Sequence, residues 1–260
     1  MPEILEVEAY RRAADRVVGR SIARVVAPDS WYVKGPTSPS AVRRALTGTA
    51  VNAVRRTGKM LLLDNDRGLV LGLRFGMTGR LVVDETAAID GLEYGPRRAE
   101  ASWDRFTLHF VDGGTLRVND PRRLGGVMLD PDETALGPDA LTLSRRELEA
   151  ALTASAAPVK ARLMDQARIA GLGNLLVDEI LWRARIDPVR SAASLDKGEI
   201  TRLHRHVSKT LVELMARGGS HTGDLQAERE RDGHCPRDGA PLLRRTIGGR
   251  TTYSCPLHQR

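Results

Sequence analysis

The apolar pattern of this chain changes from β-type to helical period near residue 130, and that change restricts the fold to two differently built parts. Between Ser21 and about Asp130 the apolar residues fall in short β-type runs: IARVV, AVNAV, KMLLL, LVLGLRF, RFTLHF and TLRV. Turn signals at Asn65-Asp66 and Asp112-Gly113-Gly114, with several prolines, separate them. Runs this short and this often broken predict antiparallel strands in a sandwich or barrel. Ahead of them, Leu5, Ala9, Ala13 and Val17 recur every four residues, with acids early and arginines late, which predicts an amphipathic helix over 3–18. Beyond residue 130 the period is helical, and Ile200, Leu203, Val207, Leu211 and Met215 make one stripe that stops at Gly218-Gly219. DPDETALGPDAL, at 130–141, reads as a linker, and the segment from Gly233 to the end reads as a small hairpin held at its base. The expected class is α+β: an N-terminal helix with an antiparallel β-sandwich over 1–132, a helical domain over 133–219 and a C-terminal β-hairpin over 220–260.

Charge narrows the partners. Forty Lys plus Arg against 33 Asp plus Glu give a net charge of +7 and a pI near 9.9, which suits a polyanion such as nucleic acid, although a basic protein without such a partner has the same balance. Only five of the cations are lysines, Lys34, Lys59, Lys160, Lys197 and Lys209. No secretion signal opens the chain and no apolar run approaches the ~18 residues that span a bilayer, so the expected location is the cytoplasm. In that reducing setting Cys235 and Cys255 are expected as metal ligands or as inert thiols rather than as a disulfide.

The Met-Pro-Glu start carries chemistry of its own. A small second residue lets the initiator Met1 be trimmed, and the secondary amine of Pro2 is then exposed. An α-amino group titrates near ~8, so a usable fraction is neutral at physiological pH. Attack on a sugar anomeric carbon would give an iminium ion. Glu3 can protonate the ring oxygen or the departing base if burial raises its affinity for the proton. Taken by itself the tripeptide is common and says little.

MPEILEVEAYRR, RRTGKMLLL, LRFGMTGRL, VNDPRRLGG, LMDQARIAGLGNLLVDEILWRA and CPRDGAPLLRRTIGGRTTYSC, in that order, resemble segments of the bacterial formamidopyrimidine-DNA glycosylase and endonuclease VIII family. The GLGN segment is the most specific of them, and it resembles that family's helix-two-turn-helix DNA-binding element. Here Gly171 and Gly173 permit a tight turn, and Asn174 opens a helix, Leu175 to Arg183, whose free amides suit a phosphate. The resemblance implies a monomeric base-excision-repair enzyme acting on damaged double-stranded DNA, a glycosylase and abasic-site lyase working by β,δ-elimination. It implies Pro2 as Schiff-base nucleophile, Glu3 as acid, Lys59 as the phosphate-binding lysine that assists elimination, and Arg250 as the hairpin arginine on the phosphates beside the lesion. Glu6, Met77, Arg122, Leu124, Lys160 and Asn174 complete the expected DNA-contacting set; Glu6 is a supporting carboxylate, and Met77 and Arg122 fill the gap left by an everted nucleotide. Arg122 favours oxidised purines as substrates. Oxidised pyrimidines are the alternative, as is a binding protein without turnover.

The chain departs from the family pattern at several points. Leu5 replaces a proline, Leu124 stands where a phenylalanine wedge is usual, and the segment SHTGDLQAERERDG is short and polar. In the hairpin, Cys235-x-x-Asp238 and Cys255-x-x-His258 keep the spacing of a four-cysteine zinc finger with two ligands replaced. Asp and His both ligate zinc, so one zinc ion on Cys235, Asp238, Cys255 and His258 is the expected cofactor, against a hairpin held by Leu242, Leu243, Ile247 and Tyr253 without metal.

Overall fold

A computed structural model describes residues 2–89, 91–96 and 100–260, and divides them into two compact units: Pro2 with Glu6–Glu133, and Glu3–Leu5 with Thr134–Arg260. Met1, whose loss the expected chemistry requires, lies outside the described residues.

The first unit opens with helix α1 (Ile4–Ala14), extended by a single 3-10 turn over Asp15–Val17. Its strands are β1 (Ile22–Val26), β2 (Val51–Thr57), β3 (Met60–Asn65), β4 (Val70–Arg74), β5 (Arg80–Val83), β6 (Thr86–Ala87), β7 (Asp104–Phe110), β8 (Thr115–Asn119) and β9 (Gly126–Leu129), with helix α2 (Pro39–Leu46) between β1 and β2. Two antiparallel sheets form, in the orders β1-β7-β8-β5-β6 and β2-β3-β4-β9. Leu61, Leu63, Leu71 and Leu73 from one sheet share a core with Ile22, Phe106, Leu108 and Leu116 from the other, which makes the sandwich. The buried arc of α1 in that core is Val7, Tyr10 and Ala14, with Val17 beyond, whereas Ala9 and Ala13 are half-buried. The expected four-residue stripe is thus offset: side-chain bulk at Val7 and Tyr10 outweighs the alanines. Sequence reading also passed over α2, which Ser38 caps through the Ala41 amide with Pro39 in the first turn, and over β5, β6 and β9.

The second unit holds α3 (Arg145–Thr153), α4 (Val159–Met164), α5 (Asn174–Ala184), α6 (Lys197–Arg217) and the hairpin β10 (Leu243–Ile247) and β11 (Arg250–Ser254). Capping boxes start α3 at Ser144/Glu147 and α6 at Asp196/Glu199, and Gly218 at φ 107° ends α6. Helix α5 is the centre: every residue from Leu175 to Ala184 is buried. Three of these are charged, and each is answered locally. Asp178 Oδ1 accepts from Lys160 Nζ at 2.6 Å and its Oδ2 from Arg229, while Glu179 accepts from Arg183 Nε at 2.6 Å and from the amides of Asp224 and Leu225.

These buried charges also hold the hairpin. The Tyr253 amide donates to Asp178 Oδ2 at 3.3 Å, Lys160 Nζ donates to the Thr251 carbonyl at 3.3 Å, and Arg245 pairs with Asp187 at 2.5 Å. Trp182, Leu225, Leu242, Tyr253, Cys235 and Cys255 pack beside them, but Leu243, expected among the holding contacts, is 42% exposed. Leu243 opens β10 on the same face as half-buried Arg245 and buried Ile247, so its exposure comes from its place at the strand end and not from alternation. Asp178→Ala leaves a buried ammonium and an amide without their acceptor. We expect it to cost about 3–5 kcal/mol in urea unfolding and to raise hydrogen exchange at the β11 amides, whereas removing the surface pair Arg145–Glu149 should cost under ~0.5 kcal/mol.

Candidate active site and nucleic-acid interface

Glu3 is fully buried, and its carboxylate caps α5: Oε1 accepts from the Leu175 amide at 2.8 Å and Oε2 from the Leu176 amide at 3.3 Å. The amides expected to meet a phosphate are therefore already occupied by a side-chain anion, because a helix N-terminus takes whichever negative group is nearest. The two glycines of GLGN serve this arrangement for different reasons. Gly171 sits at φ 109°, which side-chain-bearing residues rarely adopt, and Gly173 is extended, but a Cβ there would lie 2.3 Å from the Glu3 carboxyl carbon. Asn174 is the first residue of α5, with Gly173 as the cap; its side-chain Oδ1 is buried with no hydrogen-bond partner among the described residues.

Pro2, next in sequence to Glu3, is buried, as is Glu6 on α1. Lys59 lies half-buried in the turn between β2 and β3. That turn is fixed from below: Arg56 reaches Glu8 of α1 at 3.1 Å and the Gly58 carbonyl at 2.9 Å, and Arg55 and Thr57 both donate to Glu133. The Arg55 guanidinium holds the Glu133 carboxyl below the ordinary carboxylate range.

Met77 and the pair Arg122 and Leu124 sit on two loops joined by one buried carboxylate. Asp120 accepts from Thr78 Oγ1 at 2.6 Å, Tyr32 Oη at 3.3 Å and the amides of Arg122 and Gly125 at 3.2 and 2.9 Å. Above this anchor Met77 is half-buried, Arg122 is exposed and Leu124 is 52% exposed. The neighbouring Arg123 is tied to Asp29 at 2.6 Å, which leaves Arg122 as the cation of this pair without an acid partner among the described residues. Arg250 is exposed at the start of β11, beside the Gly248-Gly249 turn.

Lys160, expected among the DNA contacts, is enclosed within the second unit. Its side chain is 0% exposed on Asp178, and burial draws its ammonium below the ordinary lysine value against the pull of that partner. A cation so enclosed cannot reach a DNA phosphate; it supports the hairpin. Arg229, in the short polar segment SHTGDLQAERERDG, is likewise bound to Asp178 and stacks on Tyr253.

At the hairpin base Cys235, Asp238, Cys255 and His258 offer four ligand atoms within 4.8 Å of one another, a group that can hold a metal ion. Trp182 Nε1 donates to Cys235 Sγ at 3.3 Å and the Leu257 amide to Cys255 Sγ at 3.4 Å, donors that suit thiolates. His258 Nδ1 lies 2.6 Å from Asp238 Oδ2, and that ring holds the Asp238 carboxyl well below its ordinary value. Burial pushes the Cys255 thiol up to about 11, a preference that a bound cation reverses.

Residues 1–127 match the Formamidopyrimidine-DNA glycosylase N-terminal domain, and residues 136–225 match the Formamidopyrimidine-DNA glycosylase H2TH domain. The chain belongs to the formamidopyrimidine-DNA glycosylase family. It is 35% identical to the formamidopyrimidine-DNA glycosylase of Cereibacter sphaeroides and 36% to that of Paracoccus denitrificans, each alignment covering 100% of both chains. Among solved structures, Fpg (MutM) of Lactococcus lactis in complex with DNA containing N7-benzyl-Fapy-dG superposes with a TM-score of 0.83 at 27% identity, over 100% of both chains.

Within this member of the formamidopyrimidine-DNA glycosylase family, sequence reading singled out the exposed tips and missed the buried acids that carry them. Asp120 lay inside the quoted VNDPRRLGG, and Asp178-Glu179 interrupt an apolar run, LLVDEILW, where two acids together signal a buried polar network. Asp120→Ala should cost about 3 kcal/mol, since four donors lose a charged acceptor, and should loosen both loops; Asp120→Asn, which keeps an acceptor oxygen, should cost less. Urea midpoints of the two variants test the order.

Proposed function

We propose that this chain is a bifunctional DNA glycosylase and abasic-site lyase of base excision repair, a monomer working at the nucleoid, that removes oxidised purines through a Schiff base on the Pro2 amine. The observation that carries the reading is the buried Glu3 carboxylate, fixed by two amides at the head of the GLGN helix and adjacent in sequence to Pro2. Amide donors and the helix dipole stabilise Glu3 as the anion, so burial alone does not make it an acid. The anion is suited to take a proton from the Pro2 ammonium. The free amine then attacks C1′, the N–C1′ bond forms as the glycosidic bond breaks, and the acid form of Glu3 returns its proton to the departing base. Transfer of the proton left on nitrogen to the ring oxygen frees the nitrogen lone pair, which forms the C1′=N bond as the C1′–O4′ bond breaks; the resulting iminium ion acidifies the C2′ protons, removal of one expels the 3′ phosphate, and a second elimination expels the 5′ phosphate.

Lys59 and Arg250 are assigned to the phosphates near the lesion, and Asn174, with an unpaired amide oxygen at the head of α5, to the DNA-facing side of the same element. Met77, Arg122 and Leu124 are assigned to the gap left by the everted nucleotide, an apolar and cationic set that suits base steps and an unpaired base. Arg122 favours purine lesions. We assign zinc to Cys235, Asp238, Cys255 and His258, since two thiolates, a carboxylate and an imidazole form an acceptable tetrahedral set; the ion would close the hairpin base and take no part in the reaction.

Borohydride added during reaction with abasic-site DNA should give a covalent adduct whose peptide maps to Pro2, and a chain that retains Met1 or carries a blocked amine should give none. Normal strand scission by the blocked chain would overturn the assignment. Glu3→Gln keeps an acceptor for the α5 amides and should lower base release by ~10²-fold or more while slowing scission of a preformed abasic site far less. A panel of single-lesion duplexes, scored separately for base release and scission, distinguishes purine from pyrimidine preference. Metal analysis of untagged protein should give one zinc per chain; active protein without it would remove the zinc assignment.

A further inference from the structure

At the C-terminal end of α5 a second concentration of charge has no part in the chemistry above. A pocket of about 760 Å³ is lined by Arg185, Arg202, Arg205, His206 and Arg237, among others. That volume suits a ligand of nucleotide size. Several of the nearby cations are already neutralised: Arg183 is bound by Glu179, Glu213 and Asp224, and Glu199 is shared by Arg190 and Arg202. Arg185, Arg205 and Arg237 are exposed and have no acid partner among the described residues. Arg237 is held in place by its stack on Trp182, 4.7 Å from the ring centroid. Burial first, and then Arg205 and Arg183, draw His206 down to about 4, so its ring is neutral and adds no charge; its Nδ1 is buried without a partner among the described residues.

Arg185 supplies an independent observation. It caps α5 in the left-handed conformation, φ 60° and ψ 40°, where glycine is the unstrained residue. An arginine there is held at a steric cost, and its side chain lines the pocket.

We propose that this pocket is a phosphate-binding site, distinct from the Asn174 end of α5, in which Arg185, Arg205 and Arg237 grip a phosphate ester or a diphosphate. Guanidinium forks fit phosphate oxygens two at a time, and three uncompensated forks around one concavity suit a multiply charged group. The two ends of α5 lie about 15 Å apart along the helix, so one phosphate cannot serve both. The same chemistry is offered by the backbone of DNA and by a soluble diphosphate, and the site does not depend on the Pro2 reaction.

The test uses the full chain and the variant R185G/R205Q, with R43Q/R44Q on α2 as a control of equal charge change. R185G relieves the left-handed strain, so the melting temperature should be unchanged or higher. Calorimetry with inorganic pyrophosphate should show one saturable site in the wild type and at least a tenfold loss in R185G/R205Q. Binding to a long undamaged duplex, followed against salt, separates the sources: a slope smaller by about two in R185G/R205Q identifies the DNA backbone, and an unchanged slope with lost pyrophosphate binding identifies a soluble ligand. Scission of a short abasic duplex should stay at the wild-type rate in either case. R185G/R205Q binding pyrophosphate and duplex as the wild type does, or R43Q/R44Q weakening both as much, overturns the proposal.

Discussion

A carboxylate at residue 3 capping a helix that begins at residue 174 is the contact on which most of this structure depends. It accounts for the backbone around it. Gly173 must lack a side chain because Glu3 occupies that space, and Gly171 must lack one both because Ile4 packs where a Cβ would lie and because its φ is 109°. Without the cap, α5 would begin with two buried amides unsatisfied, an arrangement that folded proteins avoid. The helix that sets the second unit's core is thus started by the first residues of the chain, and the acid proposed for proton transfer is also a structural cap.

The same helix shows how a buried element can carry charge. Asp178, Glu179 and Arg183 would each be costly in isolation. Each meets a counter-charge or several amide donors, and the partners come from α4, α6, the segment after α6 and the hairpin. The hairpin is consequently held by this ionic network and by the apolar packing of Trp182, Leu225, Leu242 and Tyr253, with the four-ligand group at its base. Sequence reasoning had set metal against apolar packing and had not considered buried charge.

What could be read in the sequence followed from periodicity and punctuation. The sandwich strands showed as short apolar runs, and α6 showed as a stripe closed by Gly218, because these signals are local in the chain. The α1 face was misplaced because equal spacing was weighted without regard to side-chain size. Contacts between distant residues left no local signal: nothing near Lys160 announces Asp178, and nothing near Glu3 announces Leu175. For the same reason the exposed candidates Arg122, Leu124 and Arg250 could be named from motifs, while the fixation of Lys59 through Arg56 and Glu8 could not. The four ligand positions were legible because finger spacing is itself a local pattern.

Asp120 separates mounting from tip. Its carboxylate grips one loop through a threonine hydroxyl and the other through backbone amides, so none of its bonds involves the side chain of Met77, Arg122 or Leu124. The backbone bonds do not depend on which residue occupies position 122 or 124, and Thr78 lies one place beyond Met77. Changes at those three tips therefore leave the anchor intact, and side chains there can be exchanged at little conformational risk. Loss of the single acid beneath them would unseat both loops together.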